Sequence, residues 1–86
     1  MRRRWVESAH YKAAIDALVE LRGEVGLTQR QLAARLGKPP SYVAKIELRQ
    51  HRLDVVEFVA WARALGMGEG EALSRLSRAL PQKIEI

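Results

Sequence analysis

The stretch "GKPP", Gly37 to Pro40, interrupts a chain that otherwise reads as helix, and it constrains the fold more than any other feature. Before it, Leu32, Ala33 and Leu36 recur at helical spacing; after it, Val43 and Ile46 resume the same period. Pro39 cannot extend the preceding helix, and it pushes Lys38 out of the α region. Pro40 suits the first turn of the next helix, where its missing N–H costs nothing and its fixed φ is already helical. Gly37 brings the backbone freedom that a helix C-terminus often needs. One helix therefore stops and another starts within a few residues, so two short helices must meet across a tight turn.

The flanks follow the same period. Tyr11, Ala14, Ile15, Leu18, Leu21 and Val25 form one apolar stripe, which predicts a first helix from about Val6 to Glu24, closed by Gly26. Thr28 with Gln31 three residues on is a capping box that opens the second helix. The third runs from about Pro40 to Leu48 or Arg49, with Val43 and Ile46 inward and Ser41, Tyr42, Lys45 and Arg49 outward. Asp54 and Glu57 form a second capping box, opening a fourth helix whose stripe is Val55, Phe58, Ala62 and Leu65 and whose stop is Gly66. A fifth helix spans about Glu69 to Ala79, with Leu73, Leu76 and Leu80 apolar. The prediction is an all-α, compact five-helix domain over residues 1–80, followed by a tail, residues 81–86, that alternates and reads as a short strand or a disordered end.

Composition removes several function classes. With 86 residues and no cysteine, the chain has room for one domain and no disulfide or thiolate metal site. No apolar run approaches the roughly 20 residues that span a bilayer. The start "MRRRW" has no apolar stretch behind it and does not read as a signal peptide, so the expected location is cytoplasmic. No nucleophile is paired with a base and no two carboxylates share a cleft, so no enzyme and no cofactor are expected. His51 lacks the Cys, second His or carboxylate cluster of a metal or catalytic site, and His10 reads as a surface residue. Trp5 and Trp61 read as core or interface residues.

The net charge is +5, and all of it lies between Thr28 and Arg52, where Arg30, Arg35, Lys38, Lys45, Arg49 and Arg52 face a lone acid, Glu47. Such clustering is the electrostatic footprint of a polyanion partner.

Two helices of about nine residues around a Gly-containing turn, over about residues 28–49, are the helix-turn-helix layout. "LTQRQLAARLGKPPSYVAKIE" followed by "RLDVVEFVAWARALG" resembles the phage-repressor family of DNA-binding domains, the Cro/cI-like or XRE type, from about Tyr11 to Gly66. The resemblance implies a third helix lying in the major groove of double-stranded DNA. It implies a phosphate contact from Gln29, base-edge contacts from Pro40, Ser41, Tyr42 and Lys45, and phosphate contacts from the loop residues Arg49, Gln50, His51 and Arg52. Lys38 joins this set from the basic segment. The resemblance also implies an ion pair between Arg22 and Glu47. For Ser41, capping the third helix is an alternative to touching DNA; for Tyr42, packing on the second helix is an alternative to stacking on a sugar or thymine methyl. The sequence departs from the family at Pro40, where Gln, Ser or Thr is common, and at Leu48-Arg49, where Asn-Gly is usual; the second departure predicts a slightly longer third helix.

The function these features imply is a sequence-specific transcriptional regulator, a repressor in the first instance. The alternative is a protein-interaction module on the same fold, such as an antitoxin holding its toxin, which asks for an apolar or acidic outer face on the third helix. A homodimer built from the fifth helix and the "KIEI" tail is expected, with Leu76, Leu80, Ile84 and Ile86 to spare.

Overall fold

The predicted first helix is two. In the computed structural model, which describes residues 4 to 85, a short α1 (Arg4–Glu7) is followed by α2 (Ala9–Glu24), then α3 (Gln29–Arg35), α4 (Ser41–Glu47), α5 (Val55–Ala64) and α6 (Glu69–Arg78). The break falls at Ser8, whose backbone is extended and whose hydroxyl accepts a hydrogen bond from the Tyr11 N–H at 3.1 Å. A serine that caps a new helix ends the old one, and apolar periodicity across it does not register the change. No strand occurs among the described residues. The tail instead folds back on α2, where the Glu85 N–H donates to His10 Nδ1 at 2.9 Å.

Both predicted capping boxes are present: Thr28 with Gln31 opens α3, and Asp54 with Glu57 opens α5. At their other ends, α2, α3, α4 and α5 close with one turn: the residue two beyond the cap donates back to the carbonyl three before it, as in Lys38 N–H to Ala33 at 3.0 Å and Gln50 N–H to Lys45 at 2.8 Å. That turn needs a left-handed residue. Gly26, Gly37 and Gly66 take it at φ 77°, 68° and 79°, but after α4 the position is Arg49, at φ 59°. The longer third helix is therefore corrected: α4 ends at Glu47 and Arg49 occupies the place of a glycine.

The core gathers Ile15, Leu18 and Leu21 of α2, Leu32 and Ala33 of α3, Val43 and Ile46 of α4, and Trp61 and Leu65 from α5 and its end. Trp61 is fully buried and is its largest side chain. Ala33, with no exposed surface, lets α3 and α4 approach closely. Two stripe assignments are corrected: Val55, beside the cap of α5, is 80% exposed, and Val25, just past the end of α2, is 41% exposed. On α6, Ala72 is the buried residue and Leu73 is 59% exposed. Among the described residues no helix is long and apolar enough to cross a membrane.

Candidate nucleic-acid interface

Three helices meet at one carboxylate. Arg22, in the last turn of α2, donates Nε to Glu47 Oε2 at 2.7 Å and Nη2 to Oε1 at 3.0 Å. Its third nitrogen, Nη1, donates to the Leu27 carbonyl at 2.9 Å, satisfying the loop that leads into α3. Gln29, the first residue of α3, donates its amide to Glu47 Oε1 at 2.7 Å. The side chains of Arg22 and Glu47 are 17% and 6% exposed, so this bidentate pair is largely withdrawn from water. Because α2, α3 and α4 each supply one member, the network fixes the angle at which α4 leaves the body.

Glu47 is the lone acid of the basic segment, and its charge is spent inside. The outer side of α4 presents Ser41 and Lys45, both exposed. Ser41 makes no cap bond; Pro40 is the N-cap, at φ −55° and ψ −30°. Lys38 sits over the Tyr42 ring, Nζ 5.5 Å from its centre. Beyond α4, Gln50, His51 and Arg52 are exposed, while Arg49 is half-buried with Nε lacking a hydrogen-bond partner.

Tyr42 divides its two ends. Its ring leans on Trp61, centres 6.4 Å apart, and its hydroxyl donates to Glu57 Oε2 at 2.6 Å. Packing thus holds the ring, against Trp61 of α5. Burial, and then the hydrogen bond to the Glu57 carboxylate, push the Tyr42 phenol up to about 12. Glu57 also accepts from the Asp54 N–H at 3.0 Å, and His51 Nε2 stands 3.7 Å from it. Glu57 therefore ties α4, the following loop and the start of α5 together. Sequence reasoning found it as a capping residue only, since the first turn of α5 gives no sign of what lies across from it. Tyr11 is a second unforeseen brace: its hydroxyl accepts from the Leu53 N–H at 3.1 Å and fixes the far end of the same loop. The described residues contain no group of three or more His, Cys, Asp or Glu placed to hold a metal ion.

This arrangement, a short helix standing on a braced turn with its cations outward, defines a helix-turn-helix protein. Residues 18–71 match the helix-turn-helix family, and the chain belongs to it. It is 37% identical over 87 aligned positions to the transcriptional regulator MntR of Escherichia coli O6:H1, covering 95% of this chain and 56% of that protein. The MntR of Salmonella typhimurium gives the same identity, with 95% and 55% covered. The chain thus spans about half the length of these relatives. Among solved structures, an XRE-family like protein from Pseudomonas syringae pv. tomato superposes with a TM-score of 0.75 at 45% identity, over 85% of this chain and 89% of that one. ClgR, the clp gene regulator of C. glutamicum, shares the fold with a TM-score of 0.71 at 22% identity, over 84% and 94%.

Proposed function

We propose that the protein is a sequence-specific DNA-binding transcriptional regulator, acting as a repressor, that lays α4 in the major groove. One observation carries this reading: the only acid of the 28–52 segment is buried against Arg22 and Gln29, which leaves the outward side of α4 and its loop cationic. Phosphate contacts then supply affinity, and side chains at the start of α4 supply sequence choice. Ser41 and Lys45 are the base-reading residues, with Pro40 and the exposed edge of Tyr42 as apolar contacts. Gln29, Lys38, Arg49, Gln50, His51 and Arg52 line the backbone. Arg49 fits this role because it holds a left-handed backbone position that glycine takes in the other three turns of this kind. A toxin-holding surface would want apolar or acidic residues where Ser41 and Lys45 stand. The reading asks for no catalysis and no cofactor, and places the protein in the cytoplasm with its DNA. It includes a homodimer on two half-sites, built from α6 and the tail, where Leu73 and Ile84 are 59% and 50% exposed.

Binding titrations on a selected duplex and on random DNA, at several salt concentrations, test this. Lys45→Ala should cost about 1–3 kcal/mol on the preferred sequence and little on random DNA. Arg52→Ala should weaken both alike and flatten the slope of log affinity against log salt by about one unit per protomer. Equal losses on both DNAs for Lys45→Ala would mean that α4 does not read bases through that residue. Sedimentation showing only monomer, with and without DNA, would remove the dimer.

A further inference from the structure

A cleft of about 530 Å³ lies between α1, the start of α2 and the returning tail, and Arg52 lines it from the loop after α4. Its volume is within the roughly 300–1,000 Å³ of small-molecule sites. Trp5, Tyr11, Ala14, Leu80 and Ile84 make most of its wall apolar. Three polar groups in it, on Ser8, Tyr11 and His10, each already accept one hydrogen bond from a backbone N–H. Ser8 Oγ accepts from Tyr11 at 3.1 Å, and Tyr11 Oη accepts from Leu53 at 3.1 Å. His10 Nδ1 lies 2.9 Å from the Glu85 nitrogen and 3.3 Å from its carbonyl; the shorter contact makes Nδ1 the acceptor and leaves the ring proton on Nε2. All three still have a donor to offer, the two hydroxyls keeping one acceptor lone pair besides, and Arg52 is a donor and a permanent cation. The acid among the lining residues is Glu85, which is exposed.

An apolar wall with spare donors and a guanidinium calls for a ligand with an apolar body and an acceptor-rich, negatively charged end. We propose that this cleft binds a small organic acid, its body against Trp5 and Tyr11 and its carboxylate on Arg52, and that the bound acid weakens DNA binding. The second half rests on the DNA-binding reading. The coupling is short. The Arg52 guanidinium sits 5.8 Å from the Trp5 ring centre, and Tyr11, in the cleft wall, anchors Leu53 next to it. A carboxylate that holds Arg52 over the cleft takes it from a phosphate, and by linkage DNA weakens the acid to the same degree.

Decanoate is the probe and decanol its neutral control, both below micelle concentration, on the full chain. The readout is tryptophan fluorescence, with Trp5→Phe to assign the signal. Decanoate should bind about tenfold more tightly than decanol, the worth of one charge-assisted contact. Arg52→Gln, on an exposed residue outside the core, should bring the two ligands to equal affinity. Saturating decanoate should weaken binding of wild-type protein to random duplex DNA by about tenfold and leave Arg52→Gln unaffected. Equal affinity of wild type for the acid and the alcohol, or a signal that survives Trp5→Phe, overturns the site. Acid-selective binding with unchanged DNA affinity overturns the regulation. A wild-type protein that binds no DNA sinks the DNA reading and the regulation with it, while the fluorescence result still decides the site.

Discussion

Two parts of the molecule use the same chemistry, an arginine facing a glutamate, to different effect. Between α2, α3 and α4, Arg22 meets Glu47 with 17% and 6% of the side chains exposed, and Gln29 and the Leu27 carbonyl complete the set. At the other end, Arg75 of α6 meets Glu24 of α2 with 28% and 53% exposed, and Arg63 meets Glu69 with 73% and 43%. In the buried group the Glu47 carboxylate accepts from both α2 and α3, and Arg22 holds the loop carbonyl as well. The exposed pairs join two side chains in water, where such pairs contribute little. What seats α6 is apolar: Ala72 has no exposed surface and Leu76 packs on the core. The polar network is thus concentrated where an angle must be held, and absent where contact alone suffices.

The sharpest way to break this contrast is Glu47→Ala. It strands the Arg22 guanidinium and the Gln29 amide in a largely dry site and should cost about 3–5 kcal/mol. Thermal unfolding followed by circular dichroism should then show a melting temperature lower by well over ten degrees, at about 4–8 °C per kcal/mol for a chain of this size. A loss of only a few degrees would put the buried pair level with the exposed ones.

Tyr42→Phe extends the comparison to the second brace of α4. It removes a hydrogen bond to a charged acceptor that is partly open to water, and should cost about 1.5 kcal/mol at neutral pH. It also carries a pH signature. With the folded phenol at about 12, above the ordinary tyrosine value, the protonated form supports the fold. That support is complete below about pH 10 and fades as pH rises through about 12. Wild type should therefore lose stability across that window more steeply than Tyr42→Phe; parallel alkaline titrations would separate Tyr42 from Glu57.

Arg49→Gly should go the other way. The other three helices that end in this turn place glycine there, and a left-handed arginine is strained. Glycine should stabilise the chain by about 1 kcal/mol, net of the entropy it adds to the unfolded state. Affinity for DNA should fall at the same time, by about the share of one phosphate contact, if Arg49 is kept for its charge. A variant no more stable than wild type would mean that packing of the arginine side chain already offsets the strain.

Arg75→Ala is the smallest change. Its melting temperature at neutral pH should fall by no more than a few degrees, since Glu24 is 53% exposed and Arg75 28%, and water screens the pair. The hydrogen bond from Arg75 holds the Glu24 carboxyl below the usual carboxylate range. A carboxyl lowered in the folded state adds stability at neutral pH that is lost as pH falls through its folded value. Acid unfolding of Arg75→Ala and wild type should therefore show a small gap at neutral pH that closes at the lowest pH; a gap as large as that of Glu47→Ala would make the α6 pair structural after all.

Much of the helical frame was legible in the residues. Pro39-Pro40 after Gly37 set the tight turn, Thr28 and Asp54 set two helix starts, and the inward positions of α3 and α4 were all assigned from spacing. The misses have a common cause. Ser8 falls inside the predicted first helix, yet its hydroxyl caps α2. Val25 and Val55 keep the period of their stripes but lie at helix ends, where the core no longer covers them. On the candidate interface, the location of the positive charge was plain from the sequence, while the fate of Glu47 was not.

The sequence by itself determined where helices start and stop, because caps, prolines and left-handed turns act within four or five residues and depend on nothing remote. It determined the basic segment, because charge needs only counting. The tertiary structure alone decided which polar groups meet. Glu57 reaches Tyr42 across 15 positions, Arg22 reaches Glu47 across 25, Tyr11 reaches Leu53 across 42 and Glu85 reaches His10 across 75. Each meeting depends on the angle between helices, which burial of Trp61, Ala33 and their neighbours sets to within ångströms. A hydrogen bond needs that accuracy, and no local pattern of residues contains it.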